Sequence, residues 1–190
     1  MEALNLYLQQ FPHYTSQIFE DVLPFLRKRE LHPGELFLQE GRVCREVALV
    51  EKGLLRLYYL NEGKEITNCF CKENTLAASY SSFLTQQASD ISIEAVETTQ
   101  LIVLPYEGLQ KMYDKHLFWQ QMGRMAAEKE FVVNENHSRF IRDLSATERY
   151  LQILEQEKDL LQRVPLNYLA AYLQIAPETL SRIRKKIGQT

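Results

Sequence analysis

Apolar residues change their spacing several times along this chain, and each change marks a different kind of element. Leu4, Tyr7, Leu8 and Phe11, then Ile18, Phe19, Val22 and Leu23, recur at helical intervals and predict one or two short helices over residues 1–26. From Arg27 to Leu104 the texture switches to short runs rich in Leu, Val, Ile, Tyr and Phe, separated by turn residues at intervals of eight to twelve. Such spacing predicts an antiparallel sandwich or barrel. Gly34, Gly41, Gly53 and Gly63 stand at the punctuation points, and Asn61-Glu62-Gly63 predicts a hairpin turn. Pro105 then opens a short helix, PYEGLQKMY.

A long helical stretch follows from about His116 to Arg142, with Phe118, Met122, Met125, Ala126, Val132, Val133 and Phe140 marking a seam. At ~1.5 Å per residue it spans roughly 40 Å. A barrel of this size cannot cover such a length, so part of the helix is expected to pair with a second copy; the alternative is a helix packed wholly on its own domain. Lys129 and Asn136 interrupt the seam, and an Asn buried there would fix register. Ser145-Ala-Thr-Glu148 fits a capping box opening the helix ATERYLQILEQ, which makes 143–145 the expected hinge.

The segment LNYLAAYLQIAPETLSRIR, Leu166 to Arg184, has the layout of a helix-turn-helix. Leu169, Leu173, Ile175, Leu180 and Ile183 are apolar, Ala170 sits where two helices would cross closely, and Pro177 suits a first helical turn. Gln174 falls where the turn needs a positive φ, at a cost of roughly 1–2 kcal/mol for a residue other than glycine. The second helix presents Glu178, Thr179, Ser181, Arg182, Arg184, Lys185 and Lys186, a candidate major-groove reader and phosphate clamp. The plainer alternative is a helical pair closing a small core.

Charge sharpens that choice. The 190-residue chain carries a net charge of −3, yet from Pro177 onward four basic residues face one acid. A local positive patch on an acidic protein is what phosphate neutralisation requires. Cys44, Cys69 and Cys71 form no paired framework, and they read as buried small hydrophobes, with redox sensing as the alternative. No segment has the length of a membrane span, and MEALNLYLQQF lacks the layout of a secretion signal, so the expected location is the cytoplasm.

Pro33-Gly34, the Leu38-Gln-Glu-Gly41 step, Gly53 and Glu178-Thr179-Leu180-Ser181-Arg182, in that order and spacing, resemble the Crp/Fnr (catabolite-activator-like) family of transcription factors over nearly the full chain. The resemblance implies an α+β protein in three parts. They are an antiparallel β jelly-roll barrel of the cyclic-nucleotide-binding type (1–115, with flanking helices), a long dimerisation helix and hinge (116–143), and an all-α helix-turn-helix domain (144–190). It implies a homodimeric regulator on double-stranded DNA, in contact with RNA polymerase, and not an enzyme. Glu178 would accept from a cytosine and Arg182 donate to a guanine. Pro177 stands where the family often has a further Arg. With no hairpin wing expected after the second helix, phosphate contacts fall to Arg184, Lys185, Lys186 and the Ser145–Thr147 helix start.

The sensor departs from the family pattern. Where cyclic-AMP-binding members carry Gly-Glu, this chain has Ala78-Ser79, and where they carry Arg-Ser it has Ser89-Asp90. Glu73 through Gln110 contains no Lys or Arg. A buried phosphodiester without a cation faces a desolvation cost of several kcal/mol. Cyclic AMP is therefore not the expected effector. Ser79, Tyr80, Ser81, Ser82 and Ser89 are the candidate pocket residues for an unidentified small molecule. No cysteine precedes Cys44, so the oxygen-sensing cluster of the Fnr branch has no ligands. No cofactor or metal is expected. Of four histidines only His32 lies in the strand region, which argues against a cupin-type enzyme, and no Gly-x-Ser-x-Gly elbow exists. The alternative function is a sensor module that acts through protein partners without DNA.

Overall fold

A computed structural model describes residues 1–188. The chain divides into two compact units, one of Met1–Leu57 with Phe70–Glu128, the other of Tyr58–Cys69 with Lys129 onward.

The chain begins with α1 (Glu2–Gln9), α2 (Ser16–Val22) and a 3-10 turn at Leu23–Phe25. Strands β1 (Arg27–Leu31), β2 (Leu36–Leu38), β3 (Glu46–Lys52), β4 (Leu55–Asn61), β5 (Lys64–Cys71) and β6 (Leu76–Ala77) follow. Next come α3 (Tyr80–Thr85), β7 (Ser92–Ala95), β8 (Thr99–Pro105) and α4 (Tyr106–Lys115). The strands form two four-stranded sheets, ordered β1-β8-β3-β6 and β2-β7-β4-β5. The expected hairpin is present: Glu62 and Gly63 both take positive φ, 51° and 77°, as a two-residue turn matched to strand twist requires.

In the first sheet Leu101, Ile102, Val103 and Leu104 of β8 are all buried, so both faces of that strand are covered. Register resolves the two faces. Val47 pairs with Leu104 and Leu49 with Ile102, while Ala48 pairs with Val103 and Val50 with Leu101. The Val47, Leu49, Ile102 and Leu104 face lies against a cavity walled also by Leu8 of α1 and Leu109 of α4. One glycine is fixed by close approach. At Gly53 (φ 103°) a Cβ would lie 2.5 Å from Thr99 Oγ1 and 2.6 Å from Thr99 Cα. That hydroxyl accepts from Leu54 N–H at 3.1 Å and donates to the Glu97 carbonyl at 2.8 Å, tying the β3–β4 turn to the start of β8.

Helix α5 (Leu117–Asp143) runs for 27 residues. Its start is anchored by Phe118, Trp119 and Met122, all buried. Farther on, Phe131, Val132 and Val133 are 69%, 54% and 43% exposed. The second unit continues with α6 (Ala146–Gln156), α7 (Lys158–Arg163), α8 (Leu166–Tyr172) and α9 (Pro177–Ile187). The capping box at α6 is complete: Ser145 Oγ accepts from Glu148 N–H at 3.4 Å, and the Glu148 carboxylate accepts from Ser145 N–H at 2.8 Å. That carboxylate's pKa is lowered by the bonds from Ser145. Tyr150, Ile153, Leu160, Val164, Leu169, Leu173, Leu180 and Ile183 form the core of this unit.

Candidate nucleic-acid interface and sensor residues

The bend between α8 and α9 is built by local bonds. Leu173 N–H donates to Leu169 O at 2.9 Å, Gln174 N–H to Ala171 O at 3.2 Å and Ile175 N–H to Ala170 O at 3.0 Å. The last two close a left-handed cap, with Gln174 at φ 52°. Ala170 is 1% exposed and Leu173 fully buried, because a larger side chain at Ala170 would separate the crossing helices. Ala176 caps the next helix through its carbonyl, which accepts from Thr179 N–H at 3.0 Å and Leu180 N–H at 3.1 Å, and Pro177 occupies the first position.

With Leu180 and Ile183 turned inward, the opposite side of α9 is a solvent-facing stripe. Glu178, Ser181, Arg182 and Lys185 fall at i, i+3, i+4 and i+7, so they share one face. All four are exposed, Lys186 and Arg184 flank them exposed on either side, and Thr179 is half-buried at the margin. Of the seven residues singled out from sequence, six are thus available to a groove and its phosphates. The three last-turn cations, Arg184, Lys185 and Lys186, sit at the negative end of the helix dipole.

A cluster that periodicity does not reveal lies between α5 and α8. The rings of His137 and Tyr172 stack at 5.4 Å, His137 and Phe140 at 6.0 Å, and Phe140 and Tyr172 at 5.9 Å, with planes within 30°. Burial pushes the His137 pKa down and the Tyr172 pKa up. The stack joins the end of the long helix to the first helix of the pair.

The serine-rich stretch forms α3 and the loop after it. Ser82 Oγ accepts from Cys44 N–H at 2.9 Å and donates to Gln87 O at 2.5 Å. Ser89 Oγ bonds the N–H and carbonyl of Ile91 at 3.1 and 2.8 Å, and its backbone pairs with Gly41 and Arg42. Both hydroxyls are therefore committed to loop geometry. Ser81 is exposed, while Tyr80 is half-buried and lines the helix-side cavity. Ser79 is buried, with no partner for its hydroxyl among the described residues. The structure thus gathers Ser79 to Ser82 on one turn but does not aim them at a common point. Burial also raises the pKa of the Cys44 thiol, which donates to Glu46 O at 3.3 Å.

Charge inside the sheets comes instead from a residue that the stretch 73–110 does not contain. Arg56 on β4 is 1% exposed and its Nη2 lies 2.8 Å from Glu94 Oε2 on β7. The partners are 38 positions apart, so no local motif marks them. Trp119 and Phe131 on α5 likewise lie outside the seam read from sequence.

Residues 28–116 match the cyclic nucleotide-binding domain family. No curated protein sequence matches the chain. Among solved structures, FixK2 of Bradyrhizobium japonicum superposes with a TM-score of 0.76 at 17% identity, covering 86% of this chain and 85% of that one. A Crp/Fnr-family chain from Eubacterium rectale gives 0.76 at 18% identity over 94% and 87%. The c-di-GMP responsive global regulator CLP of Xanthomonas campestris gives 0.71 at 16% identity over 92% of each chain. Residues 28–116 thus match the cyclic nucleotide-binding domain family, and the chain shares the fold of the Crp/Fnr-family structures.

Proposed function

We propose that this protein is a sequence-specific DNA-binding transcriptional regulator, acting in the cytoplasm as a homodimer. Its working parts are a sensor domain (1–115), a dimerisation helix with its hinge (116–143) and a reader (144–190). The observation that carries the reading is the exposed stripe of α9. Glu178 and Arg182 stand one turn apart at the start of a helix held across α8 by Leu173 and Leu180, with Lys185 and Lys186 a turn farther on. An acidic chain that concentrates cations on one exposed helix suits a phosphate backbone. The likeness in fold to Crp/Fnr-family proteins supports the same reading.

Dimerisation is supported by Phe131, Val132 and Val133, which leave an apolar stretch of α5 exposed in one copy. Cyclic AMP is disfavoured as effector. The hydroxyls of Ser82 and Ser89 are already bonded, and the buried guanidinium of Arg56 is already paired with a carboxylate. Titration calorimetry with cyclic AMP and cyclic GMP is expected to show no micromolar binding. Gel shifts at rising salt test the output. A groove reader with several phosphate contacts loses affinity steeply as salt rises, whereas a chain that works only through protein partners gives no shift at any salt.

A further inference from the structure

The cavity on the helical face of the first sheet lies outside the space between the two sheets, and its walls come from both sheet and helices. Val47, Leu49, Ile102 and Leu104 form the floor, with α1, α3 and α4 at the sides. The start of α5 closes it through Trp119, Met122, Gly123 and Ala126. Its volume is about 80 Å³, roughly half that of an engineered apolar cavity of ~150 Å³ that stays dry and admits benzene. Small residues on α5 set this space. A Cβ on Gly123 would run into the Tyr113 hydroxyl and stand 2.9 Å from its Cζ, so glycine makes room for the hydroxyl end of that ring in the wall.

One residue of this lining carries a polar group without a partner. Trp119 is 1% exposed, and among the described residues no acceptor reaches its Nε1–H. A buried donor left unbonded costs about 1–3 kcal/mol, which an incoming acceptor recovers. An ionised ligand would meet apolar walls, so the acceptor must be neutral.

We propose that this cavity is a binding site for a small neutral apolar molecule of about four to six heavy atoms carrying one hydrogen-bond acceptor, such as a carbonyl. The acceptor takes the Trp119 indole N–H and the apolar part fills the space beside Ala126. As an effector site for the regulator proposed above, it rests on that reading; as a binding site it does not. The ligand would load the first turns of α5, the helix that also carries His137.

Trp119 is the only tryptophan in the chain, so a single indole N–H resonance reports on the site. Cyclopentanone added to the full-length, DNA-free protein is expected to move that resonance downfield and saturably. Methylcyclopentane, of equal heavy-atom count but without an acceptor, should bind at least fivefold more weakly and cause no downfield shift. Ala126→Leu, on the α5 wall, should abolish the response while thermal unfolding stays cooperative; Leu84→Phe, at an exposed wall position, serves as a second filling variant. An indole resonance unmoved by cyclopentanone, or one that moves equally in both filling variants, overturns the site. So does a resonance that follows protein concentration and ignores cyclopentanone, which would mean that a second copy fills the cavity. Absence of DNA binding in gel shifts would refute the regulator and leave this result standing.

Discussion

Arg182 is exposed on α9, and under the proposed function it is the side chain that meets a base edge. Arg182→Ala is expected to cost about 1–3 kcal/mol of DNA affinity and to relax preference at one base position, read by competition with single-base variants of the bound site. Arg56 and Glu94 present the opposite case, a charge pair out of solvent. Removing only one partner, as in Glu94→Ala, leaves a buried charge and should cost about 3–5 kcal/mol in denaturant unfolding. The double change Arg56→Met with Glu94→Leu should cost much less. His137 gives a pH dependence with a fixed sign. Its folded pKa is depressed by burial against Phe140 and Tyr172, so below about pH 6.5 the unfolded chain binds more protons and stability falls. At higher pH the contribution is complete. His137→Phe retains the stack and should flatten this part of the stability–pH curve.

At the level of elements, α5 leaves Phe131, Val132 and Val133 exposed, and the proposed homodimer would cover them. Phe131→Glu with Val133→Glu should convert dimers to monomers in sedimentation velocity, with little loss of monomer stability because both side chains face solvent. Elements set by local rules were legible from sequence. The α6 capping box, the Glu62-Gly63 turn and the bend at Gln174 depend on residues a few positions apart, and each stands where the pattern put it. Boundaries shifted slightly: Pro105 ends β8 and caps α4 rather than starting it, and α5 begins at Leu117. Helices α3 and α7 were not legible, since six residues apiece give too few turns for a periodic stripe. The Arg56–Glu94 pair and the His137–Tyr172 stack were hidden for another reason. Each joins residues more than thirty positions apart, and only the fold brings them together.

Taken whole, the proposed regulator combines the exposed polar stripe of α9 with a long helix, α5, on which Phe131, Val132 and Val133 are exposed. A dimer of such readers meets two half-sites, and their spacing follows from the two-fold symmetry of the protein. The proposed sensor is where sequence similarity says least about chemistry. Residues 28–116 match a cyclic nucleotide-binding domain, yet the hydroxyls at Ser82 and Ser89 hold the loop itself, and the cavity with an unbonded donor lies against α5. The fold is retained, and the stretch 73–110 contains no Lys or Arg. The most direct measurement is selection of bound sequences from random double-stranded DNA by the full-length protein. The expected result is an inverted repeat with half-site centres about one helical turn, ~10–10.5 base pairs, apart. Recovery of no enriched sequence, or of a single unrepeated site, would contradict it.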